Sequence, residues 1–300
     1  MTADVLSSAL ASEERRHPRS TTLTWLRRVA GPVADLVRQP VLLLAWVIVL
    51  VAVGWAVVPG LFTHFSPYEG NPDASFAPPS AEHWFGTDRL GRDLYARSVY
   101  GAATTLTATL LAVAIAFGIG ALVGLVAGFA GGLVDTVIMR VVDVFLAIPS
   151  LLLAMVIVSV LGYSTNNIAL AVGISSIASF ARVMRAEVLS VASRDYVKAA
   201  YGLGVGRLGV VVHHIVPNSM ASVLALAALE IGTAILAVAG LGFLGYGAPP
   251  PEPEWGLLVA EGRDFVAAYP WTSLLPGAAL AVVVIATHRI STSFRKDIGR

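Results

Sequence analysis

From Val41 to Val58 the chain runs for eighteen consecutive residues without a charged side chain. As a helix this run is about 27 Å long, close to the hydrocarbon thickness of a bilayer. Having no polar face, it is unsuited to the surface of a water-soluble core. Comparable runs follow at Ala102–Ala130, Val137–Leu161 (interrupted by Pro149), Ile168 to about Ala181, Ser222–Tyr246 and Trp271–Thr287. The fourth reaches only about 21 Å, so it must continue into the polar stretch beyond it to cross. Hydrophobic residues make up 56% of the chain and charged residues 13%, against about 25% charged in soluble domains. The expected fold class is therefore all-α, a polytopic membrane protein with six transmembrane helices. The polar, basic segment 1–40 ahead of the first run, and the lack of a small-residue cleavage site after it, favour a retained span over a signal peptide.

Basic residues set the expected orientation. With six spans, 16 of the 20 Lys and Arg fall on the side of the termini, while Arg89, Arg92, Arg97 and Arg263 face nine acids on the other. Both termini are expected in the cytoplasm. The chain then divides into a cytoplasmic tail 1–40 with a membrane-surface helix over 23–37, a first span 41–58, an extracytoplasmic loop 59–101, a five-helix core 102–288 and a cytoplasmic tail 289–300. Within the core, a cytoplasmic loop 182–217 separates spans four and five. An outer loop 247–270 opens on a stiff, proline-rich segment.

Several functions are disfavoured. The chain has no cysteine and a net charge of +1; its basic tail is explained by topology, so no nucleic-acid partner is expected. It has no Gly-x-x-x-x-Gly-Lys-Ser/Thr phosphate loop, and ATP hydrolysis is not expected of it. Ser175 and Ser176 have no histidine at comparable depth to make them nucleophiles. His213 and His214 are adjacent and point apart on a helix, so no metal or cofactor is expected there.

Other residues attract attention for their setting. Asp143 and Glu230 are ionisable groups within spans, where burial in lipid is costly; they are candidates for the translocation path or for helix pairing. Asp143 stands three residues from Arg140, suited to a helix-end pair, whereas Glu230 has no obvious partner. Gly120, Gly124 and Gly128 recur every four residues, a small-xxx-small seam for close helix packing. Pro149 should kink the third span. In the segment Gly86-Thr-Asp-Arg-Leu-Gly-Arg-Asp93, a turn capped by Thr87 or Asp88 should start a helix along which Asp88, Arg92 and Asp93 pair; a metal site is disfavoured by its ligand geometry. In the cytoplasmic loop, residues 194–201 read as a short amphipathic helix ended by Gly202 and Gly204, and Pro217 should stop the segment after it.

Two groups of residues carry a resemblance. Ala199-Ala200, Gly204 and Pro217-Asn218 keep the spacing of the "EAA" loop of membrane subunits in ATP-driven, binding-protein-dependent importers. Lys198 departs from it, standing where that pattern has Glu. The segment from His83 to Gly101 is similar to the Gly-Thr-Asp-x-x-Gly-Arg-Asp stretch of C-type dipeptide and oligopeptide permeases. Leu241-Gly-Phe-Leu-Gly-Tyr-Gly, Pro250-Pro251, Glu254-Trp255-Gly256, Gly262-Arg263-Asp264, and Asp135, Met139-Arg140, Asp143 and Pro149 follow the same pattern, with Gly242 where the family usually has Ser. The resemblance spans about residues 80–297 and implies the type I ABC importer permease fold.

It also implies partners: a homologous second permease, two ATPase subunits and an extracytoplasmic substrate-binding protein, assembled in a bacterial inner (plasma) membrane. The loop 194–217 would be the ATPase-coupling element, with Asp195, Lys198, Ala199, Ala200, Gly202, Gly204 and Pro217 in it. Asp88, Arg92, Asp93, Trp255, Arg263 and Asp264 would be candidates for contact with the binding protein. The implied cargo is a di- or oligopeptide, with nickel chelates, glutathione or another small solute as the alternative. A secondary transporter or channel is the reading from another class.

Overall fold

The structure is a computed structural model and describes residues 39–298, with side chains described as far as residue 293; the expected surface helix over 23–37 lies outside the described residues. The chain divides after Leu44, so that the first helix begins in one unit and ends in a second, Ala45–Arg300, to which the following description refers.

Helix α1 (Pro40–Val57) is the first apolar run. It is followed by a loop with two short 3-10 turns, then by α2 (Leu94–Ala130), α3 (Gly132–Ala147), α4 (Ser150–Leu161), α5 (Thr165–Ala192), a short α6 (Asp195–Gly202), α7 (Arg207–Val210) and α8 (Val216–Phe243), with α9 (Trp255–Arg263) and α10 (Trp271–Ile298) completing the chain. A π-turn over Val211–Ile215 joins α7 to α8 in one continuous rod. Among the described residues, five helices are long and apolar enough to cross a membrane. The bent pair α3–α4 makes a sixth when counted as one span.

Several boundaries differ from expectation. The fourth span does run on: α5 continues to Ala192, about 42 Å in all, so Arg182 and Arg185 lie on a helix and the loop expected between spans four and five starts only at Ser193. Pro149 does kink the third span, by as much as 93°. Ile148 is extended there, as the residue before proline prefers, and α4 restarts behind the proline. Pro217 does not stop its helix. It sits in the first turn of α8 directly after the π-turn, and the wider turn accommodates the ring that would clash with a carbonyl four residues back. The presumed C-terminal tail is helical as far as Ile298.

The longest interface joins α2 to α5, and the glycine seam makes it. A Cβ on Gly120 would lie 2.5 Å from the Phe180 Cβ, on Gly124 2.3 Å from the Ala181 carbonyl oxygen, and on Gly128 2.9 Å from the Val188 Cβ. The absent side chains let the two backbones touch. Beside this seam, Ala108, Ala112, Val158, Ile168, Val172, Val238 and Leu241 form one core where α2, α4, α5 and α8 meet.

Candidate functional site

At the end of α5 the chain turns through Ser193 and Arg194 into α6. Val197 and Ala200 are buried, in one cluster with Val188 and Val191 of α5 and Val210, Val211 and Ile215 of the following rod. One face of α6 is thus welded to the helix ends. The other carries Asp195, Tyr196, Lys198, Ala199, Tyr201 and Gly202, all exposed, followed by Leu203 at 86% and Leu208 at 75% exposure. Lys198 donates to Asp195 at 3.1 Å, a solvated i, i+3 pair. Gly204 has φ +85°, a left-handed conformation that a side chain would strain. Through that turn the Val205 N–H returns to the Ala200 carbonyl, which fixes the exit of α6.

Within the bundle, the Ser176 hydroxyl of α5 donates to the Glu230 carboxylate of α8 at 2.8 Å, supplying the partner that sequence spacing did not reveal. Asp143 pairs not with Arg140 but with Arg182 of α5 at 2.6 Å, both half exposed. Arg185 holds Asp135 with two parallel hydrogen bonds. These two pairs fasten the broken helix α3 to α5. Neither partner arginine is legible locally, since 39 and 50 residues separate the members of each pair.

The loop before α2 departs most from expectation. Asp93, rather than Thr87 or Asp88, is the N-cap of α2, accepting from the Ala96 N–H. Asp88 and Arg92 pair at 2.7 Å within a turn ahead of the helix, not along it. Arg97 donates to Asp88 at 2.8 Å and to Glu261 of α9 at 2.6 Å. Asp88, Arg92, Asp93 and Arg97 are all buried inside the chain. So is Trp255, whose indole N–H donates to the Ser98 carbonyl at 2.8 Å. Asp88, Arg92, Arg97 and Trp255 clamp α9 to the start of α2, while Asp93 caps α2 and meets His83. Of the residues expected to meet a binding protein, Arg263 and Asp264 are exposed, paired with each other at 3.1 Å.

Glu254 was not singled out by its sequence position. It caps α9, accepting from the Gly256 N–H at 2.8 Å and the Leu257 N–H at 2.9 Å, and it accepts the Thr105 hydroxyl at 3.3 Å. Its carboxylate occupies the space beside Gly242, where an added Cβ would stand 2.0 Å away. Burial pushes this carboxyl up to about 7 despite those three donors. Among the described residues no group of three or more potential metal ligands converges.

Residues 120–300 match the family described as binding-protein-dependent transport system inner membrane component. The chain belongs to that family. This permease is 40% identical over 240 residues to the dipeptide transport system permease protein DppC of Alkalihalophilus pseudofirmus, covering 80% of this chain and 79% of that protein. It is 41% identical over 251 residues to the probable D,D-dipeptide transport system permease protein DdpC of Escherichia coli, with 84% of each covered. It is 39% identical over 217 residues to the glutathione transport system permease protein GsiD of Shigella flexneri, with 72% of each covered. A crystal structure of an amino acid ABC transporter with histidines shares its fold at TM-score 0.53 and 18% identity, over 68% of this permease and 94% of that chain. The match to the family takes in the glycine seam, the bent pair, α6 and the whole α7–α8 rod.

Proposed function

We propose that this permease carries di- or oligopeptides inward across a bacterial plasma membrane, with both termini cytoplasmic, as one of two homologous membrane subunits. Two ATPase subunits dock on residues 194–206, and an extracytoplasmic binding protein delivers the peptide to the outer loops, where Arg263 and Asp264 are exposed. The observation that carries the reading is α6 itself. Val197 and Ala200 bury it against α5 and the α7–α8 rod, while tyrosines and leucines around it lie open. A push on that open surface is delivered to two spans at once. ATP-driven closure of the partners would move α6, and with it the path between the two permeases. Glu230 and Asp143 are then candidates for the path or its pairing surface. The peptide reading draws support from relatives named for dipeptides; a relative named for glutathione keeps a small peptide-like solute as the second reading.

Gly204→Val tests the coupling role in the assembled transporter. It strains a turn at φ +85° without touching the bundle, so the complex should still assemble while ATP-driven uptake of labelled dipeptide into proteoliposomes is lost. Undiminished uptake, or uptake by the permeases without any ATPase, overturns the reading. Identifying the solute held by the cognate binding protein separates peptides from other cargo.

A further inference from the structure

A cavity of about 220 Å³ opens on the loop between α1 and α2, apart from α6, Glu230 and the buried clamp to α9. Four aromatic residues, Phe62, Phe65, Trp84 and Tyr95, line it together with the acidic residues Glu82 and Asp93. No lysine or arginine lines it; His64 is its one further titratable group. Aromatic faces attract cations, and carboxylates do so more strongly. An anion would find no arginine or lysine there.

Most of the wall is fixed in advance. Trp55 and Phe85 stand edge-on to Tyr95 at 5.7 and 5.3 Å, and Trp84 lies 4.8 Å from it. Phe65 lies 5.1 Å from His83, whose Nδ1 is 2.8 Å from Asp93. Asp93 is thereby fully engaged, as N-cap and as the partner of His83. Glu82 is exposed and makes no ion pair among the described residues. Its carboxylate is the one the cavity leaves free.

The position of the cavity narrows the ligand. It lies just past Val57, where α1 ends, and beside Tyr95, the second residue of α2. Both helices are long and apolar enough to cross a membrane, and as spans they would put the cavity at the boundary between hydrocarbon and water. In the segment that leads into it, Val57, Val58 and Leu61 are 71%, 44% and 79% exposed, and Trp84 in its lining is 60% exposed, apolar surface suited to acyl chains with an aromatic at headgroup level. We propose that this aromatic–acidic cavity binds the ammonium group of an ethanolamine-type lipid headgroup, with Glu82 as its counter-charge and the acyl chains lying along that apolar surface.

Native mass spectrometry of the full chain released from micelles tests this, with phosphatidylethanolamine and phosphatidylglycerol of identical acyl chains as probes. The ethanolamine lipid should be retained and the glycerol lipid not. Both Glu82→Gln and Trp84→Ala should weaken retention by about tenfold or more, while Glu69→Gln, on the same loop, should leave it unchanged. Both altered side chains are exposed, and an unchanged melting temperature would establish that each variant is folded. Equal retention of the two lipids overturns the proposal, as does retention unaffected by either variant. Soluble phosphoethanolamine competing as well as the lipid would reassign the cavity to a free amine. A Glu82→Gln variant that keeps the lipid but loses the binding protein would reassign it to a protein contact.

Discussion

Gly242 is where a methyl group should do the most damage for its size. A Cβ there would stand 2.0 Å from Glu254 Oε2, 2.9 Å from its Cδ and 3.3 Å from the Leu257 nitrogen. The carboxylate cannot yield without surrendering the bonds it accepts from Gly256, Leu257 and Thr105. Losing an N-cap costs about 0.5–2 kcal/mol, and forcing a methyl into a filled site costs about 1–3 kcal/mol. Gly242→Ala should therefore destabilise the chain by about 2–4 kcal/mol. Gly242→Ser, the residue usual in the resembled family, should do no better while Glu254 is in place. The cause is isolated by a double-mutant cycle with Glu254→Ala, which vacates the space that the new methyl needs. The double variant should be more stable than the sum of the single costs by about 1–2 kcal/mol. Reversible unfolding of the purified chain in mixed micelles on titration with sodium dodecyl sulfate would measure all four corners. A Gly242→Ala chain within about 0.5 kcal/mol of the parent, or costs that add within that margin, would refute the steric argument.

The same carboxyl makes stability depend on pH. Its ordinary value of 4.5 is raised to about 7 by burial, so the folded chain holds the proton more tightly than the unfolded one. That contribution is fully present below about 4.5 and is lost as pH rises through about 7, amounting to about 3 kcal/mol. Relative to a Glu254→Gln variant, the parent should lose stability between pH 5 and pH 8; parallel profiles would show that the group does not titrate in this window. At the α2–α5 seam, Gly124→Ala meets the backbone oxygen of Ala181, which cannot step aside, whereas Gly118→Ala meets nothing within 4 Å. The first should cost about 1–3 kcal/mol and the second almost nothing in the same unfolding assay, and equal costs would mean that the seam is loose.

The spans were legible because eighteen or more apolar residues in a row have few places to go but lipid. The glycine seam was legible because its period of four places small residues on one helix face. Less visible were features whose partners are distant in sequence. The polar half of α5 looks like a loop until Arg182 and Arg185 meet Asp143 and Asp135 on α3. Asp88 and Arg92 look like a surface pair until Arg97 and Glu261 close over them. Pro217 reads as a terminator under local rules, but a π-turn absorbs it. Glu254 stands out in the sequence only as one member of a motif, because nothing local shows that the residue beside its carboxylate is a glycine twelve positions earlier.

These non-local contacts converge on α5. It is one uninterrupted helix from Thr165 to Ala192, backed along α2 by a glycine seam that cannot open without losing backbone contact. Its polar half is tied to α3 by two ion pairs and its middle to α8 by Ser176 and Glu230. Its last turns share one apolar cluster with α6. On the proposed coupling role, a displacement of α6 has no soft segment in which to dissipate before it reaches α5. Among the described residues, the 93° break between α3 and α4 is the one sharp bend inside a span, and the ion pairs to α5 lie on its α3 side. Motion of α5 would then swing α3 about Pro149 while α4 stays packed against Ile168 and Val172 in the central core. The bend in this span is thus set by a proline and its tie to α5 by a pair of aspartates, rather than by the apolar runs that make it a membrane protein.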